Sequence, residues 1–332
     1  MKTDIALVCP EHGGPLVLSD GYQCAHGCRF PVVDGIARFV PQENYAASFG
    51  LQWNAFRRTQ LDSFTGTTLS RDRLARIAGG SLEVFRGQDV LEAGCGAGRF
   101  SEVMLAAGAK LFAADLSSAV EANRANCSSA ANYFVCQADI TRLPVAPGQF
   151  DVVVCVGVIQ HTPDPERTIS ALCSYVKPGG LLLIDHYSLE YPVTFSRRLL
   201  RRFLLGRSSE FALRFCTLLT NVLWPLHRAL WLLFRVSPLR KVPLLPKIRS
   251  AFVLLSPIVD HQHNFPELSP ALLKTWALLD THDTLTDTYK HLRSQEQIET
   301  HLQRCGMESV QAWVGGNGIE AHARKGAAAS NL

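Results

Sequence analysis

The chain has 332 residues, of which 47% are hydrophobic, and its formal net charge is +4. This length suits two or three folded units, and the apolar content excludes a disordered chain. Residues 1–20 have no apolar segment behind basic residues, so we expect no secretory signal peptide and interpret the ten cysteines as reduced thiols of a cytoplasmic protein.

Two short turns rich in cysteine and histidine open the chain. Their pattern is C-x2-H-x11-C-x3-C, and these side chains at this spacing can enclose a tetrahedral zinc ion. Residues 30–40 follow as a β-hairpin with an Asp-Gly turn. We predict one structural zinc on Cys9, His12, Cys24 and Cys28. The alternative is a metal-free module held by its hairpin.

Residues 42–86 connect this module to the next. Leu69 to Ala78 has the periodicity of an amphipathic helix. Before it lie Tyr45, Gln52 and Trp53, for which two roles are open. They close over a ligand cleft, which polar and aromatic groups suit, or they pack a helix onto the domain.

The segment 90–100, VLEAGCGAGRF, combines a buried strand, a glycine-rich turn and the start of a helix. Glycines in such a turn let the backbone approach a ligand closely. Two further strands end in acids, Asp115 and Asp139. Residues 150–157, FDVVVCVG, predict a strand that is apolar from Val152 onward, as a parallel strand buried on both faces requires. Late in the chain, a helix over 294–305 and two strands joined by a Gly/Asn turn predict a closing hairpin.

In order and spacing, the motifs of residues 85–190 resemble those of class I S-adenosylmethionine (SAM)-dependent methyltransferases of the type 11-like group. The resemblance implies an α/β fold with a doubly wound, seven-stranded, Rossmann-like sheet and SAM as cofactor. It also implies that the glycine turn lies beside the amino-acid part of SAM, that Asp115 binds the ribose hydroxyls and that Asp139 binds the adenine amino group. The cofactor-binding residues that it implies are Glu92, Gly94, Gly96, Gly98, Asp115, Leu116, Asp139, Ile140 and Gly157.

The N-terminal residues resemble the Trm112-like zinc-ribbon module that precedes some methyltransferases. That module usually has cysteine where this chain has His12, although three cysteines and one histidine are an accepted zinc set. His26, inside the second turn, is an alternative ligand. The expected boundaries are 1–41 for the zinc-ribbon module, 42–86 for the connecting arm over the cofactor site, 87–189 for the SAM-binding core, 190–285 for a helical insertion and 286–326 for the segment that completes the core.

The insertion concentrates positive charge among apolar residues. From Tyr191 to Arg249 the chain has twelve lysines and arginines and one acid, Glu210. The longest uncharged run has 13 residues and contains Pro225, so it is too short to span a membrane. Three interpretations of this segment stay open: a lid over the acceptor site, a peripheral membrane contact through residues 195–250, and, less favoured, a nucleic-acid contact.

Candidate bases follow the fourth and fifth strands of the core and recur in the insertion. They are His161, His186 and His282. A structural hydrogen bond is an equal alternative for His161, and a capped helix end at the surface is the alternative for His282.

The predicted function is methyl transfer from SAM to an oxygen or nitrogen atom of a small or amphipathic metabolite. One alternative is an rRNA or tRNA base methyltransferase, which the absence of an N-P-P-Y-type motif after the fourth strand disfavours. The other is a non-catalytic SAM-binding adaptor.

Overall fold

The computed structural model describes residues 5–41, 44–192, 194–235, 251–252, 255–316 and 318–327. Contacts divide the chain into two compact units. The first consists of Met1–Asp62, Thr68–Tyr191 and Tyr289–Leu332, and the second of Ser63–Thr67 and Pro192–Thr288. The helices are α1 (Ala47–Ala55), α2 (Asp62–Thr65), α3 (Leu69–Ile77), α4 (Ser101–Ala106), α5 (Ala119–Cys127), α6 (Pro165–Tyr175), α7 (Phe195–Leu204), α8 (Ser209–Arg235), α9 (Pro270–Thr286) and α10 (Gln295–Arg304).

The first unit contains two sheets. A small antiparallel sheet consists of β1 (Val17–Ser19), β2 (Gly21–Gln23) and β3 (Arg29–Phe30). The strands of the large mixed sheet are β4 (Val32–Val33), β5 (Ile36–Arg38), β6 (Asp89–Ala93), β7 (Lys110–Asp115), β8 (Tyr133–Gln137), β9 (Phe150–Cys155), β10 (Val176–His186), β11 (Met307–Gly315) and β12 (Gly318–Lys325). Their order is β11-β12-β10-β9-β6-β7-β8-β5-β4. Parallel strands with helical connections on both faces give the Rossmann-like α/β fold expected from the sequence.

The large sheet has nine strands among the described residues, so the expected count of seven is wrong by two. The extra pair is the β4–β5 hairpin, whose Asp34 and Gly35 turn residues have φ of 50° and 72°. Strand β5 pairs in parallel with β8, so the hairpin extends the sheet instead of standing apart. The physical reason is that β8 would otherwise be an edge with unpaired backbone groups.

Strand alternation places side chains of β9 in two hydrophobic clusters. Val153 and Cys155 join one cluster, which also contains residues of α6 and α10. Val152 and Val154 join the other, with residues of α3, α4 and α5. Because both faces of the sheet are covered, the run from Val152 to Cys155 in β9 is apolar without interruption, as the sequence predicts.

The second unit is mainly helical in its described part. Helix α7 begins after Thr194, whose side chain accepts a hydrogen bond from the backbone N–H of Arg197. Inside the unit, His227 Nδ1 lies 2.9 Å from Asp260 Oδ2 and its Nε2 lies 2.8 Å from Ser256 Oγ. None of the helices in the described residues is long and apolar enough to cross a bilayer.

Candidate functional site

The glycine turn follows β6 and has the backbone conformation that its glycines permit. The φ values of Gly94, Gly96 and Gly98 are 80°, 47° and 96°, in the region that other residues rarely adopt. A Cβ at Gly94 would lie 2.3 Å from Val158 Cγ2. Gly94 therefore allows both the turn and the close approach of the loop after β9.

Asp115, the last residue of β7, is fixed against this turn. Its Oδ2 accepts a hydrogen bond of 2.9 Å from the backbone N–H of Gly96, and its Oδ1 accepts bonds from the N–H and hydroxyl of Ser117. Burial raises the pKa of Asp115, and these hydrogen bonds act in the opposite direction. The carboxylate thus has a set orientation at the carboxyl end of the sheet, where ligands of such folds bind.

The loop after β8 carries the second predicted acid. Asp139 Oδ1 accepts hydrogen bonds of 2.8 Å from both the N–H and the hydroxyl of Thr141. Ile140 beside it is buried. Leu116, after β7, accepts bonds through its carbonyl from Asn44 and Gln137, so the two loops and the connecting arm are tied together.

Glu92 lies beneath the turn and is only 3% exposed. Its carboxylate accepts a hydrogen bond from the hydroxyl of Ser101, which in turn accepts one from Asn123 Nδ2. Burial raises the pKa of Glu92 to about 8. In this arrangement Glu92 supports the turn from within the core.

Helix α1 of the connecting arm lies against the same loops. The indole nitrogen of Trp53 is 3.6 Å from the position of a Cβ at Gly96. Burial and the nearby charges of Asp139 and Asp115 raise the pKa of Tyr45 above its ordinary value. Both aromatic residues therefore lie beside the groups predicted to bind the cofactor.

Gly50 and Asn54 anchor α1, and sequence reasoning missed both. A Cβ on Gly50 would lie 2.4 Å from Ser118 Oγ, while Asn54 Nδ2 donates to the carbonyl of Ser118 at 2.9 Å. The signal available in the sequence was a glycine inside a helix, which usually has a packing reason when it is retained.

An ion pair at the carboxyl end of β10 was also missed. Asp185 is 4% exposed and pairs with Arg73 of α3, and its Oδ1 accepts the backbone N–H of Gly157 at 2.5 Å. Arg76, one turn later, pairs with the buried Glu320 of β12. The amphipathic pattern of residues 69–78 gave no sign of either pair, although a spacing of three residues lets Arg73 and Arg76 reach acids on two adjacent strands.

His161 lies in a cluster of aromatic rings. Its centroid is 5.3 Å from the rings of both Phe49 and Tyr187, and Tyr187 stacks on Tyr191 at 4.1 Å. His161 Nδ1 lies 3.3 Å from the carbonyl oxygen of Tyr289, which can only accept. In the neutral ring, Nδ1 therefore donates and the lone pair is on Nε2.

The other two predicted bases have different surroundings. His186 is 1% exposed, donates through Nδ1 to its neighbour's carbonyl, and has its pKa lowered to about 4 by burial. Strand alternation places it on the face opposite Asp185.

His282 lies in α9 of the second unit, and burial lowers its pKa to about 4 as well. The helix continues to Thr286, so the interpretation of His282 as a surface helix end is wrong. Asp280, two residues before His282, pairs with His261, with Nε2 and Oδ2 2.5 Å apart.

The four predicted zinc ligands come together. His12 Nδ1 lies 3.6, 3.8 and 3.4 Å from the sulfurs of Cys9, Cys24 and Cys28, and all four ligand atoms are within 4.8 Å of one another. Zinc bonds of about 2.3 Å to sulfur and about 2.0 Å to nitrogen would separate tetrahedral ligands by roughly 3.5–3.8 Å. The residues fit zinc, and His26 stacks on the His12 ring at 4.5 Å without joining the ligand group.

These turns also contact the loop that carries Asp139. The backbone N–H of Val8 donates to the carbonyl of Pro144 at 2.9 Å, and Glu11 pairs with Arg142 at 3.1 Å. Val8 is adjacent to Cys9, and Glu11 is adjacent to His12. A change in the conformation of the predicted zinc ligands should therefore affect the conformation of the loop that carries Asp139.

Comparison with known proteins identifies the core. Residues 91–184 match the family model described as "Methyltransferase domain". The glycine turn, Asp115, Asp139 and Gly157 all lie in the matched range, which runs from β6 to β10 of the Rossmann-like sheet.

Curated proteins that are similar to this chain include O-methyltransferases. The ubiquinone biosynthesis O-methyltransferase of Coxiella burnetii (strain Dugway 5J108-111) is 35% identical over 103 residues, which are 30% of this chain and 44% of the relative. The enzyme of the same name from Pseudomonas paraeruginosa is 38% identical over 102 residues, with the same coverage. The chain therefore spans less than half the length of the curated relatives that it matches.

A solved structure is similar over a longer range. Magnesium protoporphyrin IX methyltransferase from Synechocystis PCC 6803, with bound SAH, is 16% identical, and the match covers 86% of this chain and 90% of that one. Its TM-score is 0.38, so the likeness to methyltransferases rests on the family model and the curated relatives.

Proposed function

We propose that the chain is a SAM-dependent methyltransferase that methylates an oxygen atom of a small or amphipathic metabolite. The observation that carries the proposal is the hydrogen bond between the Gly96 N–H and the Asp115 carboxylate. This bond fixes the carboxylate that would bind the ribose of SAM beside the glycine turn. Oxygen is favoured as the acceptor atom because the matched curated relatives are O-methyltransferases.

The chain's residues would hold SAM in three places. The backbone of the glycine turn would lie beside its amino-acid part, Asp115 would bind the ribose, and Asp139 with Ile140 would bind the adenine. Tyr45 and Trp53 lie beside these groups and would exclude water from them. When bound, SAM supplies a methyl group on an activated sulfonium, so the protein has to align the acceptor and remove a proton.

The proposed proton acceptor is His161. Its neutral ring has the lone pair on Nε2, and the rings of Phe49 and Tyr187 around it would contact an apolar or aromatic acceptor. His186 and His282 are weaker candidates, because a pKa of about 4 makes each a poor base near neutral pH.

A methyl-transfer assay tests the proposal. Purified chain with labelled SAM, and with no added protein, is offered small phenols, amphipathic hydroxy compounds, tRNA and rRNA. We expect turnover with a hydroxyl compound, and His161→Gln should lower kcat by roughly 10²- to 10⁴-fold with SAM affinity unchanged. The control is His301→Gln, on α10.

Three results would contradict the proposal in different ways. Methylation of RNA alone would favour the base methyltransferase, and SAM binding without any turnover would favour the adaptor. Full activity in His161→Gln would remove this histidine from the reaction while leaving the enzyme class in place.

A further inference from the structure

Helix α7 of the second unit exposes an apolar stripe. Phe195, Leu199 and Phe203 follow one another at intervals of four residues, so they lie on one side of the helix. Their exposed fractions are 73%, 58% and 44%. A helix at a protein surface normally turns polar side chains outward, so this stripe is the reverse of the usual pattern.

Helix α8 continues the reversed pattern. Leu218, Val222 and Leu226 are 63%, 65% and 46% exposed, again at intervals of four residues. On the buried side, Thr220 and His227 are almost fully covered. Two polar side chains of α8 therefore lie inside the unit, while three of its leucine and valine side chains face outward.

Aromatic contacts join the two stripes. The ring of Phe203 is 6.3 Å from that of Phe211 and 5.8 Å from that of Phe215, so the end of α7 meets the start of α8. The α7–α8 surface is the resulting apolar area, formed by Phe195, Leu199, Phe203, Phe211, Leu218, Val222 and Leu226. Exposed apolar residues that follow one another along two contacting helices differ from the scattered apolar residues of an ordinary surface and indicate an interaction site.

Exposed arginines accompany the α7–α8 surface. Arg198, Arg202 and Arg214 are exposed, and no side-chain hydrogen bond or ion pair joins their guanidinium groups to the described residues. The guanidinium of Arg207 lies 5.2 Å from the ring centre of Phe203 and 5.9 Å from that of Phe211. Between Pro192 and Arg235 the sequence contains one acid, Glu210.

Two other arginines of α7 are not part of this exposed set and make contacts inside the second unit. Arg197 donates to the carbonyls of Pro257 and Ile258, and Arg201 pairs with Asp287 at 2.6 Å. The contrast with Arg198 and Arg202 shows that the exposed pair is not needed to hold the helix in place.

We propose that the α7–α8 surface docks on an anionic phospholipid bilayer. The apolar side chains would enter the boundary between head groups and acyl chains, and the arginines would contact lipid phosphates. A second copy of the chain fits less well, because a self-complementary interface would bring these arginines against one another. This proposal does not depend on the proposed methyl transfer. If both hold, the methyltransferase works at a membrane surface.

Vesicle flotation of the full chain tests this docking. We expect binding to vesicles of phosphatidylcholine mixed with phosphatidylglycerol, weakened by salt, and little binding to phosphatidylcholine alone. Arg198→Glu/Arg202→Glu should lower the partition coefficient by about fivefold or more for each arginine. Leu218→Ser/Val222→Ser should lower it roughly tenfold or more.

The matched control is Val17→Ser/Leu18→Ser, which removes apolar side chains that are 66% and 61% exposed on β1. This control should bind as the wild type does, and unchanged SAM affinity shows that each variant is folded. The proposal is overturned by no binding at low salt, by equal binding to neutral vesicles, by equal losses in the control, or by binding of RNA but not of vesicles. A dimer that Leu218→Ser/Val222→Ser dissociates, without vesicle binding, would also overturn it.

Discussion

The carboxylate of Asp115 and the backbone N–H of Gly96 are joined by a hydrogen bond of 2.9 Å. This bond connects the end of β7 to the turn after β6. The residue predicted to bind the ribose of SAM is therefore held directly against the turn predicted to lie beside its amino-acid part. A change at Asp115 therefore acts on both sides of the cofactor site.

Asp115→Asn should weaken SAM binding roughly 10- to 100-fold while the protein stays folded, because charged hydrogen bonds to the ribose are replaced by neutral ones. Isothermal titration measures the affinity. The matched control is Asp151→Asn at the amino end of β9, whose carboxylate also accepts a backbone N–H, that of Asp89 at 3.0 Å. Wild-type affinity in Asp115→Asn would disprove this placement of SAM.

Gly94→Ala should lower the free energy of unfolding by roughly 2–4 kcal/mol, because the new Cβ meets Val158 and the backbone keeps a positive φ. Urea denaturation measures it. Gly148→Ala, with φ +68° and open space around its Cβ, isolates the backbone part and should cost about 1 kcal/mol. Adding Val158→Ala to Gly94→Ala should recover part of the loss; no recovery would argue against the contact.

Glu92 makes stability depend on pH in a defined direction. Its folded-state pKa of about 8 lies above the ordinary value of 4.5, so the folded protein holds a proton that the unfolded chain releases. Stability should fall as pH rises between these values, by at most about 1.4 kcal/mol per pH unit, and Glu92→Gln should remove this slope. Urea denaturation at several pH values measures it, with Glu308→Gln on exposed β11 as control. An unchanged slope in Glu92→Gln would show that Glu92 is ionised in the folded protein.

Removal of zinc should affect SAM binding. The contacts of Val8 with Pro144 and of Glu11 with Arg142 connect the ligand turns to the loop of Asp139. We expect about one zinc per chain, and Cys24→Ser should speed hydrogen exchange in residues 139–145 and weaken SAM binding several-fold. Cys305→Ser, outside the ligand group, is the control. Absence of zinc from fresh protein, or unchanged exchange in Cys24→Ser, would contradict this coupling.

Local features were the ones that the sequence could predict. Helix α6 begins at Pro165, a residue type favoured at the first helical position, and the side chain of Asp164 before it accepts a hydrogen bond of 2.9 Å from the N–H of Arg167. The strand, glycine turn and helix around Gly94 are equally local. Such elements depend on side chains that are neighbours in the sequence.

Contacts between residues far apart in the sequence could not be predicted. Arg73 and Asp185 are 112 residues apart, and an arginine on a helix gives no sign of which distant carboxylate it will meet. The difference between His161 and His186 likewise depends on surroundings. One lies among aromatic rings and the other faces the core, although strand alternation next to Asp185 was an available signal.

The pairing of β5 with β8 limits how far the chain can be truncated from its N-terminal side without exposing an edge of the sheet. A fragment starting after residue 41 would lose the strand that covers β8 and would leave an apolar strand with unsatisfied amide and carbonyl groups on the rim of the sheet. Such a rim is a template for pairing between molecules, so this fragment should precipitate or form fibrils. The β4–β5 hairpin thus covers an edge of the sheet at which two molecules could otherwise pair, and this role does not depend on a bound metal.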